Sequence, residues 1–223
     1  MMKSFPGYFI TLEGGEGSGK SSLLTSLAKH LTEKKYQVVT TREPGGTGLG
    51  EQLREMVLSQ TEPPITCALT ELLLFLAARA EHLHQVIIPA LQQGAIVLCD
   101  RFSDSTIAYQ CARGLKQKEV KWLCQMVCGQ VLPQLTLLLD IDPVMGLSRT
   151  LTLNKEHALA GQLDRIESET VDFHRRVRAL FLKLAKKEPL RIYSIDASSS
   201  KEQVFKEALR AVEEMVLLPR EKN

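Results

Sequence analysis

The chain has 223 residues, 44% of them hydrophobic, which is enough for one sizeable core and excludes a collagen-like, disordered or disulfide-scaffold protein. Lys and Arg number 28 against 26 Asp and Glu, so there is no basic excess to cover a nucleic-acid backbone, and a bound anion must be met by locally placed cations. Five cysteines without a C-x-x-C pair read as free thiols of a reducing cytoplasm; no apolar run reaches membrane-spanning length, and "MMKSFPGYFITLEGG" leaves no room for a cleaved signal.

The first apolar run, "YFITLE" at 8 to 13, leads into a complete G-x-x-x-x-G-K-[ST] match at Gly14, Gly19, Lys20 and Ser21, followed by the helical pattern "SSLLTSLAKHL". Gly14, Gly15, Glu16, Gly17, Ser18, Gly19, Lys20, Ser21 and Ser22 are therefore expected to cradle a nucleoside triphosphate. Glycines turn backbone N–H groups inward, the helix start adds a favourable dipole, Lys20 reaches the terminal phosphates and Ser21 can ligate Mg2+. Glu16 is out of place among anion-binding amides, and taken alone it reads as a solvated side chain.

The second run, "QVVTTRE" from 37, precedes the turn "EPGGTGLG", flanked by Arg42 and Arg54. The helical stretch "LLLFLAARAEHL" places Phe75 and Arg79 four apart, so an aromatic plane and a hydrogen-bonding fork share one face suited to a flat base. "AIVLCD" from 95 ends in Asp100-Arg101, "LTLLLDI" from 135 carries Asp140, and "RIYSID" from 191 is the fifth run. Short apolar runs alternating with amphipathic segments predict an α/β fold: one doubly wound, parallel five-stranded sheet flanked by helices, in a single domain. Glu13 onward, Arg42-Glu43, Asp100-Arg101 and Asp140 are expected to rim one crevice at the carboxyl ends of the strands. "TLTLNKEHALAG", within about 149 to 163, reads as a mobile lid.

A switch GTPase is excluded: no Asp is followed by Gly three residues later, and Asn154-Lys155-Glu156-His157 breaks N-K-x-D at its last position. A phosphotransferase needs a second anion site, for which Arg42, Arg54, Arg79 and Arg101 are the candidates. Two other readings stand beside it, a kinase for another pyrimidine monophosphate and a non-catalytic ATP-binding protein. His82, His84, His157 and His174 share no metal-ligand spacing and read as solvated surface. Glu167 and Glu169 read as surface charges at a helix start, and Cys124 with Cys128 as packing near Trp122.

Five blocks, "FITLEGGEGSGKSS", "TREPGGTGLGEQLRE", "LLLFLAARAEHL", "VLCDRFSDSTIAYQ" and "GQLDRIESETVDFHRRV", resemble the bacterial thymidylate kinases over nearly the whole chain. The resemblance implies a P-loop kinase fold, a homodimer, ATP as donor to dTMP, and Mg2+ between the nucleotides. It implies thymine stacking on Phe75, Arg79 donating to a base carbonyl, Thr106 and Gln110 completing the bonds around the base, and Tyr109 against the sugar. It makes Arg54 and Arg101 holders of the dTMP phosphate, puts Asp100 near Mg2+ and the attacking oxygen, and turns Glu16 toward the dTMP 3′-hydroxyl. Members with an acidic phosphate loop carry several lid arginines, whereas here the segment offers Arg149 and Lys155, then Arg165 just beyond. Arg149 is the candidate lid arginine, for adenine or for phosphate; Lys155 is a point charge without a bidentate fork.

Overall fold

Five apolar runs pair in parallel as β1 (Tyr8–Gly14), β2 (Val38–Arg42), β3 (Ile96–Asp100), β4 (Leu135–Asp140) and β5 (Ile192–Asp196), in the order β2-β3-β1-β4-β5. The computed structural model describes residues 5–59, 65, 67–156 and 164–214. Strand side chains alternate between faces, and both faces are buried. Leu135, Leu137 and Leu139 of β4 join Ile10 and Leu12 of β1 in one core. That core is closed by Leu23, Leu27 and Leu31 of α1 (Lys20–Glu33) and by Val204 and Ala208 of α9 (Lys201–Val212). Leu138 points the other way, to Ile107 and Ala108 of α5 (Ser103–Ala112) and Val177, Phe181 and Leu184 of α8 (Val171–Lys187). Each fully buried Leu contributes about 1.5–3 kcal/mol over leaving it in water.

The remaining helices are α2 (Gly48–Leu58), α3 (Ala68–His82), α4 (Ile88–Gln92), α6 (Gln117–Cys128) and α7 (Pro143–Glu156), with a π-helical turn (Leu83–Ile87) joining α3 to α4. Side-chain caps start several of them: Thr47 accepts from Gly50 N on α2, Thr170 from Phe173 N on α8, and Ser200 from Gln203 N on α9. The central strand β1 has β3 on one side and β4 on the other, so the chain builds outward in both directions and creates a switch point at its carboxyl end.

The expected lid begins differently from the expectation. Residues 149–156 continue α7 as regular helix, because no Gly or Pro interrupts the chain after Gly146. The side chain of Lys155 and residues 157–163, including His157, lie outside the described residues.

Candidate active site

The loop after β1 is shaped by a close backbone crossing. Gly17 has φ 64°, and a Cβ there would come within 2.0 Å of the Gly146 carbonyl oxygen of α7. Only glycine fits such a left-handed, crowded position. Ser18 Oγ donates to the Gly15 carbonyl at 2.9 Å. Helix α1 begins beyond Gly19 with no side-chain cap, so its first N–H groups and its dipole face the loop. Lys20 Nζ donates to the carbonyls of Gly15 at 2.8 Å and Gly14 at 3.3 Å, and to Ser18 Oγ at 3.3 Å. Burial pushes its pKa down, helped by Arg101 and opposed by Glu16 and Asp100. Ser21 Oγ donates to Asp100 Oδ2 at 2.7 Å, joining the first turn of α1 to the end of β3.

Arg101, one residue on, holds a left-handed backbone with φ 68°, a conformation that costs a non-glycine residue about 1–3 kcal/mol and persists only when its surroundings enforce it. The enforcing group is Glu13 of β1, fully buried, which accepts from Phe102 N at 2.8 Å and from the Ser105 hydroxyl. Burial, reinforced by Asp104, pushes the Glu13 carboxyl up to about 8. The Arg101 fork reaches across to Glu16 Oε1 at 2.7 Å and the Gly14 carbonyl at 2.9 Å, and it stacks 5.1 Å over the Tyr109 ring. Tyr109 Oη donates to the same Glu16 oxygen at 2.7 Å. Burial pushes the Glu16 carboxyl up, but Arg101, Lys20 and the Tyr109 hydroxyl outweigh it and hold the group at about 2. Glu16 is thus a fixed anion facing inward, not a solvated side chain.

A cleft of about 980 Å³ opens over these groups and holds both halves of the expected site. On one side stand Phe75, Arg79, Thr106, Tyr109 and Gln110, from α3 and α5. Arg79 is only 2% exposed, with Nε on Glu43 Oε2 at 2.7 Å, Nη2 on Thr106 Oγ1 at 2.8 Å, and the guanidinium 4.8 Å over Phe102. Gln110 donates to Glu71 at 2.8 Å, and Arg54 donates to the Pro44 carbonyl at 2.9 Å on the cleft wall. On the other side, Arg149 of α7 donates to the Ala197 carbonyl after β5 at 2.9 Å, close to Lys201 and Phe205 of α9.

A family model described as thymidylate kinase matches residues 12–208. The chain belongs to the thymidylate kinase family. A thymidylate kinase of Protochlamydia amoebophila is 55% identical over 94% of both chains, and one of Pelobacter propionicus is 46% identical over 89% of this chain and 90% of its own. The crystal structure of thymidylate kinase from Ehrlichia chaffeensis superposes with a TM-score of 0.74 at 34% identity, covering 92% of this chain and 98% of that one.

Within this thymidylate kinase fold, several sequence expectations change. Asp140 ends β4 but leaves the main cleft, because Arg178 of α8 clamps it through two bonds at 2.7 and 2.9 Å. His82 is fully buried rather than solvated, with Nδ1 3.0 Å from Glu43 Oε1 and Nε2 2.6 Å from Thr41 Oγ1. His174 is buried as well, whereas His84 is exposed as expected. Glu167, expected on the surface, lines the cleft beside Asp164. Burial pushes both of these carboxyls up, and Glu16 adds to the rise. Glu169 pairs with Arg113 at 2.7 Å. Arg165 turns from the lid to the buried Glu71 and the Val57 carbonyl. Cys124 and Cys128 are packed in the core, while Trp122 beside them is exposed. Two features were missed in the sequence: the role of Glu43, expected only at the crevice rim, as the counter-charge of Arg79, and Gly146, which lets α7 touch the loop. The "REP" triplet after β2 and a glycine inside a helical pattern were the available signals.

Proposed function

We infer that this chain phosphorylates dTMP to dTDP with ATP as donor, a step toward dTTP for DNA replication. The observation that carries the reading is one cleft holding both a phosphate loop and the Phe75, Arg79, Thr106 and Tyr109 set, with the Glu16 carboxylate between them. Thymine lies on Phe75, Arg79 and Thr106 meet its polar edge with Gln110 beside them, and Tyr109 covers the sugar face where a 2′-hydroxyl would collide. Glu16 accepts from the 3′-hydroxyl.

The attacking group is an oxygen of the dTMP phosphate, already an anion, so no strong general base is required. It forms the new O–P bond to the γ-phosphorus as the bond to the β,γ-bridging oxygen breaks, and ADP leaves with that electron pair. Lys20 exchanges its neutral loop acceptors for β- and γ-phosphate oxygens, and the α1 amides bind beside it. Arg101 and Arg54 hold the acceptor phosphate in line, while Arg149 meets the donor nucleotide near α9. Ser21 Oγ and the Asp100 carboxylate, 2.7 Å apart, are hard oxygen donors of the kind Mg2+ takes together with nucleotide phosphates. Held by these two groups, Mg2+ would supply positive charge to neutralise the nucleotide phosphates. Alignment, charge neutralisation and exclusion of water supply the catalysis.

A homodimer is part of this reading. Leu69 and Leu73, one turn apart on α3, and Met56 on the neighbouring α2 are exposed, as are Trp122 and Met126 on α6, an apolar surface suited to a second copy. A cytoplasmic setting is supported by five free thiols. Among the described residues no helix is long and apolar enough to cross a membrane. A coupled assay tests the enzyme reading: ADP release should depend on dTMP and match dTDP formed one to one. ATP binding without dTMP-dependent ADP release would replace it with a binding protein.

A further inference from the structure

A second, much smaller cavity lies between the phosphate loop, β4 and α8, lined among others by Gly14, Gly15, Glu16, Leu139, His174 and Arg178. Its volume of about 20 Å³ has room for one water molecule. Among the described residues, Glu16 alone lines both this cavity and the main cleft.

His174 is 4% exposed, and its buried Nε2 has no hydrogen-bond partner among the described residues. A buried ring nitrogen without a partner is costly, and one ordered water in a cavity of this size would satisfy it. The preceding residue already braces Glu16 by another route. Phe173 packs 6.2 Å from the Tyr109 ring, and Tyr109 donates to Glu16 Oε1. Among the described residues, both side-chain bonds to Glu16, from Tyr109 and Arg101, fall on that one oxygen. Two bonds on a single oxygen fix one end of a carboxylate and leave its rotation to other contacts. The cavity is where another contact reaches the loop from α8.

We propose that His174 is a positioning residue for Glu16, holding the loop carboxylate in register with the acceptor through one ordered water in this cavity. The proposal rests on the reading of Glu16 as the partner of the acceptor sugar hydroxyl. Its consequence is selective. Losing the bridge weakens acceptor binding and leaves the donor side, built from Lys20, Arg149 and α9, as it was.

The test is steady-state kinetics of His174→Phe, His174→Gln, Glu16→Gln and the double variant His174→Phe/Glu16→Gln, with melting temperatures recorded for each. His174→Phe should raise the KM for dTMP about five- to tenfold, with kcat and the ATP KM within about twofold of the parent. His174→Gln, which keeps a polar end, should restore the dTMP KM whatever the melting temperature does. The double variant should be no worse than Glu16→Gln alone, because the two residues act in series. An unchanged dTMP KM in His174→Phe, a multiplicative loss in the double variant, or no rescue by Gln overturns the proposal. An unchanged dTMP KM in Glu16→Gln overturns the reading of Glu16 itself, and the proposal with it, before His174 is considered.

Discussion

Replacing Glu43 with Gln removes the counter-charge from a guanidinium that has nowhere else to place it. Glu43 is 6% exposed, with one oxygen 2.7 Å from Arg79 Nε and the other 3.0 Å from His82 Nδ1. The amide keeps the shape but not the charge, so Arg79 stays buried with its dipolar contacts and no anion. Breaking a buried pair from one side costs about 3–5 kcal/mol. For a chain of this size each kcal/mol moves the melting temperature by about 2–4 °C, giving a fall of about 6–20 °C. Arg79 also donates to Thr106, so the acceptor wall shifts with it. The dTMP KM should therefore rise while the ATP KM stays within about twofold, because Arg149 and α9 share no partner with Glu43. Calorimetry and two-substrate kinetics on the same preparation read both effects. A fall of less than about 2 °C, or equal changes in the two KM values, would refute the reasoning.

Gly146→Ala builds a Cβ 2.3 Å from the Glu16 carbonyl oxygen, so the loop must move. A displaced loop should lower kcat/KM about 10- to 100-fold with helix content kept by circular dichroism, and parental kinetics would refute the contact. Arg149→Ala should raise the ATP KM and leave the dTMP KM alone; a fall in kcat with the ATP KM unchanged would instead put this arginine on the transferred phosphate. Glu13 titrates near 8 folded against 4.5 as a free side chain, so the native state binds the extra proton between those values. Stability from this group is full below about 4.5 and is lost as pH rises through about 8, and in Glu13→Gln that slope should vanish from pH-dependent urea unfolding. A slope that survives in Glu13→Gln would assign it to other groups.

The sheet was readable because parallel strands buried on both faces leave near-continuous apolar runs, and each of the five observed strands falls within a residue or two of its run. The phosphate loop was readable because its parts are contiguous. Asp100 was readable as a rim residue because it ends a strand at the switch point, though its direct bond from Ser21 was not. What stayed hidden depended on partners far away in the chain. His82 looks like a surface residue on its own helix, and its burial is explained by Thr41 and Glu43, 41 and 39 residues earlier, at its two ring nitrogens. Asp140 sits at a strand end like Asp100, yet Arg178 from α8 claims it, and no local pattern announces that clamp. The helix through Arg149 was obscured by "TLTLN", whose threonines and asparagine are indifferent helix formers that packing of α7 against the loop overrides. Glu167 resembled a helix-start charge because the fold of its segment over the cleft is tertiary.

The most direct test of the central claim is kcat/KM for a panel of acceptors, dTMP, dUMP, dCMP and UMP, measured by dTMP-kinase-type coupled ADP release at fixed ATP and Mg2+. A pocket that reads the thymine methyl separates dTMP from dUMP by about tenfold or more, since one buried methyl carries about 1–3 kcal/mol. UMP, with its 2′-hydroxyl set against Tyr109, should rank lower still. If dUMP, dCMP or UMP turns over as well as dTMP, the assignment of the acceptor site is wrong.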